Sequence, residues 1–162
     1  MLKQADLVLG DFEGTINPDY PLSGYPLFNA PQSVTAVISD AGYDVMDLAH
    51  NHILDSGLEG AFTTADAFKE VGIDPVGVYE NPVRDKAPLF IKNVNGIKVA
   101  ILSYAYGFNG LESKSDRKEI ANHLSNLDEK RMKVEIERAE KEADVTVIMP
   151  QMGVEYRFGT DR

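Results

Sequence analysis

Along the chain, short apolar runs closed by small or polar residues alternate with stretches whose apolar positions recur at helical spacing. Ala5 to Phe12 (ADLVLGDF) is an apolar run ended by Gly10-Asp11, which predicts a buried strand opening into a loop. Glu13 to Pro31 is rich in proline, glycine and tyrosine, and loops of that length are uncommon unless functional. Pro31 opens a helix with Val34, Val37, Ile38 and Ala41 on one face, and Gly42 ends it. Tyr43 to Ala49 (YDVMDLA) predicts a second buried strand. Ser56 and Glu59 have the spacing of a capping box, at the start of a helix with inner face Leu58, Ala61, Phe62, Ala65 and Phe68 that Gly72 closes.

Ile73 to Val78 reads as a third, shorter strand. The runs PLFIKNV and IKVAILSYAY flank Asn95-Gly96, a hairpin signal because both positions of a type I′ turn need positive φ. Leu111 to Asn126 is polar and has no clear period. From Leu127 to Ala143, Met132, Ile136, Ala139 and Ala143 form an inner stripe on an otherwise charged helix. Asp144 to Pro150 (DVTVIMP) predicts a last buried strand. Strands alternating with helices imply an α/β sandwich of mixed β-sheet flanked by helices, one domain over residues 1–162. In such sheets, ligands gather beyond the carboxyl ends of the strands.

A formal net charge of -10 sets nucleic acid aside as a partner, because duplex binding rests on basic neutralisation of phosphates. The absence of cysteine excludes disulfides and thiolate zinc sites. No apolar run reaches the roughly 18 residues of a membrane span, so no membrane contact is expected of this segment. The first residues lack the apolar core of a signal peptide, so any address or anchor would lie upstream.

Three strand ends carry the residues with chemistry: Asp11 and Glu13; His50, Asn51, His52 and Asp55; Gln151 and Glu155. Carboxylate and amide oxygens with imidazole nitrogens suit Mn, Fe, Zn or Mg. A pair of such ions can clamp a phosphate and activate water, while a nearby histidine protonates the leaving oxygen. The same residues also fit plainer roles: a Gly-Asp turn, a polar turn bonded to backbone, and solvated strand ends. His-Asn-His is not read as an HNH nuclease, whose motif spreads over a hairpin and helix and accompanies a basic surface.

The segments ADLVLGDFEGTI, AGYDVMDLAHNHILDSGLEGAFTTADAFKEVGI, NGIKVAILSY and DVTVIMPQMGVEYRFGTD resemble the CapA family. These are capsule and poly-γ-glutamate synthesis proteins related to calcineurin-like metallophosphoesterases. The resemblance implies a metallophosphatase-like fold, with Asp11, Asn51 and Gln151 toward the metal and His52 as the acid. Glu13, His50 and Glu155 would line the substrate. Gln151 stands where many members have histidine, and the family's upstream Gly-Asp strand and downstream Gly-His-x-His segment have no counterpart here. A central fragment, incomplete at both ends and inactive alone, is therefore expected, with a dinuclear centre only in a longer protein. The resemblance further implies a cell-surface setting with an anchor outside this segment. The partner would be the capsule polymer or its synthase complex, and self-association through an exposed sheet edge is a further expectation. The alternative is a non-catalytic accessory that binds the polymer, using Tyr20, Tyr25 and Phe28 as a contact surface.

Overall fold

The computed structural model describes residues 2–114 and 116–153; Glu155, one of the predicted site residues, lies outside them. Two three-stranded sheets carry the fold. The first is parallel, in the order β1 (Leu9–Asp11), β2 (Val45–Asp47), β3 (Asp74–Val76). The second pairs β4 (Ile91–Val94) antiparallel with β5 (Ile97–Ala105), and β5 parallel with β6 (Val145–Gln151). The helices are α1 (Ser33–Ala41), α2 (Gly57–Glu70), α3 (Arg117–His123) and α4 (Glu129–Glu142). The architecture agrees with the expected metallophosphatase-like α/β fold.

The twofold side-chain period of a strand explains the layering. On β5, Ala100, Leu102 and Tyr104 face α4, packing with Ala139, Met132 and Ile136. The alternate residues Val99 and Ile101 meet Val45 and Val76 of the first sheet, with Val147 and Met149 of β6 beside them. Met46, on the opposite face of β2, joins Phe68, Ala61 and Ala65 of α2. The order is therefore helices, sheet, sheet, helix. The same alternation turns Asp47 and Ser103 toward each other between the sheets, where the Ser103 hydroxyl donates to Asp47 Oδ1.

Gly42 (φ 100) ends α1 and the Asn95-Gly96 pair (φ 52 and 93) turns the hairpin, as their sequence context requires. The Leu111–Asn126 stretch holds a 3₁₀ turn, Leu111–Lys114, and α3, capped by Asp116 accepting from the Lys118 N–H. α4 starts later than the sequence suggested, because Asp128 caps it by accepting from the Arg131 N–H.

Three expectations are corrected. Val37 is 68% exposed, and the buried residue of α1 is Thr35. Ser56 holds the N-cap position of α2 but makes no capping bond. Its hydroxyl donates to Thr15 Oγ1 (2.8 Å), which ties the long loop down, and Gly60 leaves the room for it. β6 is only partly buried, with Val145 and Ile148 exposed, because among the described residues it pairs on one side alone.

Buried Arg84 braces the second sheet. Its guanidinium forks onto Glu135 of α4 (2.9 Å to each oxygen), and the Tyr104 hydroxyl donates to the same carboxylate. No helix among the described residues is long and apolar enough to cross a membrane.

Candidate functional site

The turn after β2 begins against glycine. Gly77, at φ 96 just past β3, lies so close to Ala49 that a Cβ there would stand 2.8 Å from the Ala49 Cβ and N. The chain then folds into the polar turn His50-Asn51-His52. His50 is fully buried, and its Nδ1 accepts from the His52 N–H (3.2 Å), so the ring proton sits on Nε2. Burial pushes its pKa down to about 3, the charge on His52 adding and the Phe12 carbonyl opposing. His50 is thus a neutral ring beneath the turn, away from any open surface.

His52 is held differently. Its ring bonds Asp55 Oδ2 at 2.7 Å; a carboxylate accepts only, so Nδ1 carries the proton. The Phe28 N–H donates to the same oxygen at 2.7 Å, and the Phe28 ring meets the imidazole edge-on, 4.6 Å between centroids. Nε2 faces the Asn109 Nδ2 at 3.5 Å and Glu13 at 4.0 Å. A cavity of about 250 Å³ opens beside His52, lined by Tyr25, Pro26, Leu27, Asn109 and Leu111. A second, of about 350 Å³, continues under Tyr20, Tyr25 and Phe28.

The β6 end reaches this turn through Gln151. Its Oε1 accepts from the Asn51 N–H, and its Nε2 donates to Asn51 Oδ1, both at 2.7 Å. Asn51 Nδ2 donates to Asn109 Oδ1 at 3.1 Å. The fold thus brings Glu13, Asn51, His52 and Gln151 together, and sets His50 below them. Asp11 sits exposed at the end of β1, opposite Asp47 in the strand register. Partial desolvation of its carboxyl at the strand end, then the charge of Glu13, raises its pKa.

Asp47 and Asn109 belong to the same strand-end region and were not singled out in the sequence. Asp47 is 4% exposed, and burial pushes its carboxyl up to about 7 against the bonds from Ser103 and the Ala49 N–H. A lone acid inside the apolar run YDVMDLA was the available signal. Asn109 (φ 53) was marked only by its glycine neighbour, as in the Asn95-Gly96 turn.

The donor set here is oxygen: the Asp11 carboxylate and the Asn51 and Gln151 amides. That chemistry fits a hard divalent ion better than a soft one. The two amide oxygens are engaged with each other's N–H groups, and no three His, Asp or Glu side chains among the described residues are grouped to enclose an ion.

Residues 1–162 match the family described as "Bacterial capsule synthesis protein PGA_cap". The chain belongs to this capsule synthesis family. Among its curated relatives, the "Capsule biosynthesis protein CapA" of Bacillus anthracis is 34% identical over 112 residues, 66% of this chain and 27% of that protein. The "PGA biosynthesis protein CapA" of Bacillus subtilis (strain 168) is 26% identical over 160 residues, 96% of this chain and 41% of that protein. The chain therefore spans less than half the length of these relatives. The His50–Asp55 turn and Gln151 lie within the extent of the family match.

Proposed function

We propose that this chain acts in synthesis of a bacterial capsule polymer on the outer side of the membrane, as the proton-donating part of a metal-assisted hydrolytic site. The observation that carries the reading is the His52–Asp55 pair: a buried carboxylate fixes Nδ1–H and leaves Nε2 facing an open cavity. A histidine so oriented delivers a proton from Nε2 to a leaving oxygen, and Asp55 balances the imidazolium before the transfer. Asp11 would hold the divalent ion, with the amide oxygens of Asn51 and Gln151 joining once their mutual bonds open. The ion, when bound, supplies Lewis-acid polarisation and a more acidic water. Glu13 lines the substrate side, and the loop of Tyr20, Tyr25 and Phe28 forms the rim.

The test uses the full-length protein with Mn²⁺ and a chromogenic phosphodiester. His52→Ala is expected to lower kcat on the order of 10²–10⁴-fold, the usual worth of a positioned general acid. Asp55→Asn should lower kcat with little change in KM. Activity that survives both substitutions would refute the reading. The closed Asn51–Gln151 pair favours a second one, in which the site binds the capsule polymer without cleaving it. Metal-independent polymer binding with no turnover would establish that alternative.

A further inference from the structure

Beside the loop that carries Asn109 lies a cavity of about 320 Å³, bounded by Tyr106, Phe108, Glu112, Arg117, Ile120 and Asn126. Glu112 Oε2 is shielded from solvent and has no hydrogen-bond partner among the described residues. Its Oε1 lies over Gly107, where even an added Cβ would stop 3.7 Å away. Arg117, at the start of α3, makes no ion pair among the described residues, although it borders the same cavity. Asn126 Oδ1 is held by the Arg84 guanidinium (3.0 Å), which fixes the amide and leaves Nδ2 as the group available to donate.

An acid and a base that share a cavity without pairing constrain what can fill it. A shielded carboxylate oxygen lacking a donor is costly, so the cavity favours a ligand with an N–H or ammonium group there. A simple cation would meet Arg117, and a simple anion would meet Glu112. A ligand bearing both charges satisfies both, and its zero net charge escapes repulsion by a chain of net charge -10. Tyr106 and Phe108 supply an apolar wall for the carbon skeleton between the charges.

We propose that this cavity binds a zwitterionic amino acid or short peptide, its ammonium on Glu112 and its carboxylate on Arg117 and Asn126 Nδ2. The site goes beyond the proton-transfer reading and stands whether or not His52 reacts.

The test is a titration of the full ¹⁵N-labelled chain with alanyl-alanine, its N-acetyl derivative and its C-terminal amide, into the millimolar range. The free dipeptide should shift amide signals of residues 106–112 and 117–121. It should bind at least about tenfold tighter than either blocked form, as expected for losing one charge-assisted contact. Glu112→Gln should abolish discrimination against the N-acetyl form only, and Arg117→Gln discrimination against the amide only. Equal binding of all three ligands overturns the proposal, as do silence in those segments or shifts confined to residues 20–28 and 52. The wild-type ligand series decides the question even where a variant fails to fold.

Discussion

Asp47→Asn should make the protein more stable at alkaline pH, because two buried groups oppose each other across the acid range. Asp47 titrates near 7 in the fold against 3.8 for a free aspartate carboxyl. Its folded state holds the proton longer than the unfolded chain, so its contribution is complete below pH 3.8 and is lost as pH rises through 7. His50 titrates near 3 against 6.5. Its contribution is complete above pH 6.5 and is lost as pH falls toward 3. Each pH unit in which only one state is protonated is worth about 1.4 kcal/mol. From pH 5 to 8, Asp47 therefore removes about 3 kcal/mol and His50 restores about 2, leaving the wild-type protein nearly flat.

Asparagine keeps an oxygen where Asp47 Oδ1 accepts from Ser103 and the Ala49 N–H, but it cannot ionise. The variant should thus gain about 2 kcal/mol from pH 5 to 8, the slope of His50 alone, and overtake wild type at the upper end. Asp11, whose pKa is also raised, is common to both proteins and drops out of the comparison between them. The assay is urea unfolding at fixed ionic strength with EDTA at several pH values. A variant whose stability relative to wild type is the same at pH 5 and pH 8 would refute the reasoning.

Three further outcomes are expected. Gln151→His should tighten Mn²⁺ or Zn²⁺ binding at least about tenfold by calorimetry, since imidazole is the better transition-metal ligand; unchanged affinity would remove position 151 from any metal centre. Gly77→Ala should cost about 2 kcal/mol or more in urea unfolding, because φ 96 and the 2.8 Å approach to Ala49 both reject a side chain. The edge of β6 that is unpaired among the described residues should support self-association, seen as a concentration-dependent sedimentation coefficient that Ile148→Lys suppresses; monomer at every concentration in wild type would exclude it.

What the sequence made legible was the part ruled by local backbone chemistry. Glycine at positive φ fixed the end of α1 and the 95–96 turn, and apolar periodicity located β2 and the stripe of α4. Long-range partners overrode the rest. Ser56 and Glu59 carry a capping-box spacing, yet the serine hydroxyl is more usefully spent on Thr15, 41 residues away in the chain. The run DVTVIMP has a core strand's composition, but burial depends on how many neighbours the sheet supplies. Asn51, His52 and Glu13 were legible as candidates through their strand-end position. The clasp of Gln151 on Asn51 crosses 100 residues and had no local signal. Asp47 shows the same limit: whether an acid in an apolar run is a turn or a buried carboxyl depends on the sheet stacked above it.

The anchoring of the long loop separates two kinds of change. Asn29 Oδ1 takes the Asn17 N–H and its Nδ2 donates to the Asn17 and Tyr20 carbonyls, while Thr15 holds the Phe28 carbonyl. The loop is therefore closed at its neck, and the neck, through the Phe28 N–H on Asp55, is also the mount of His52. Only Gly24, Tyr25 and Pro26 hang beyond that knot, past the Ser23–Asn29 backbone pair. Their length and side chains can be exchanged, altering what touches the rim, while the imidazole keeps its orientation. A library varied only in that stretch would alter the rim over an unchanged His52–Asp55 pair, whereas one extended to Phe28 would disturb both at once.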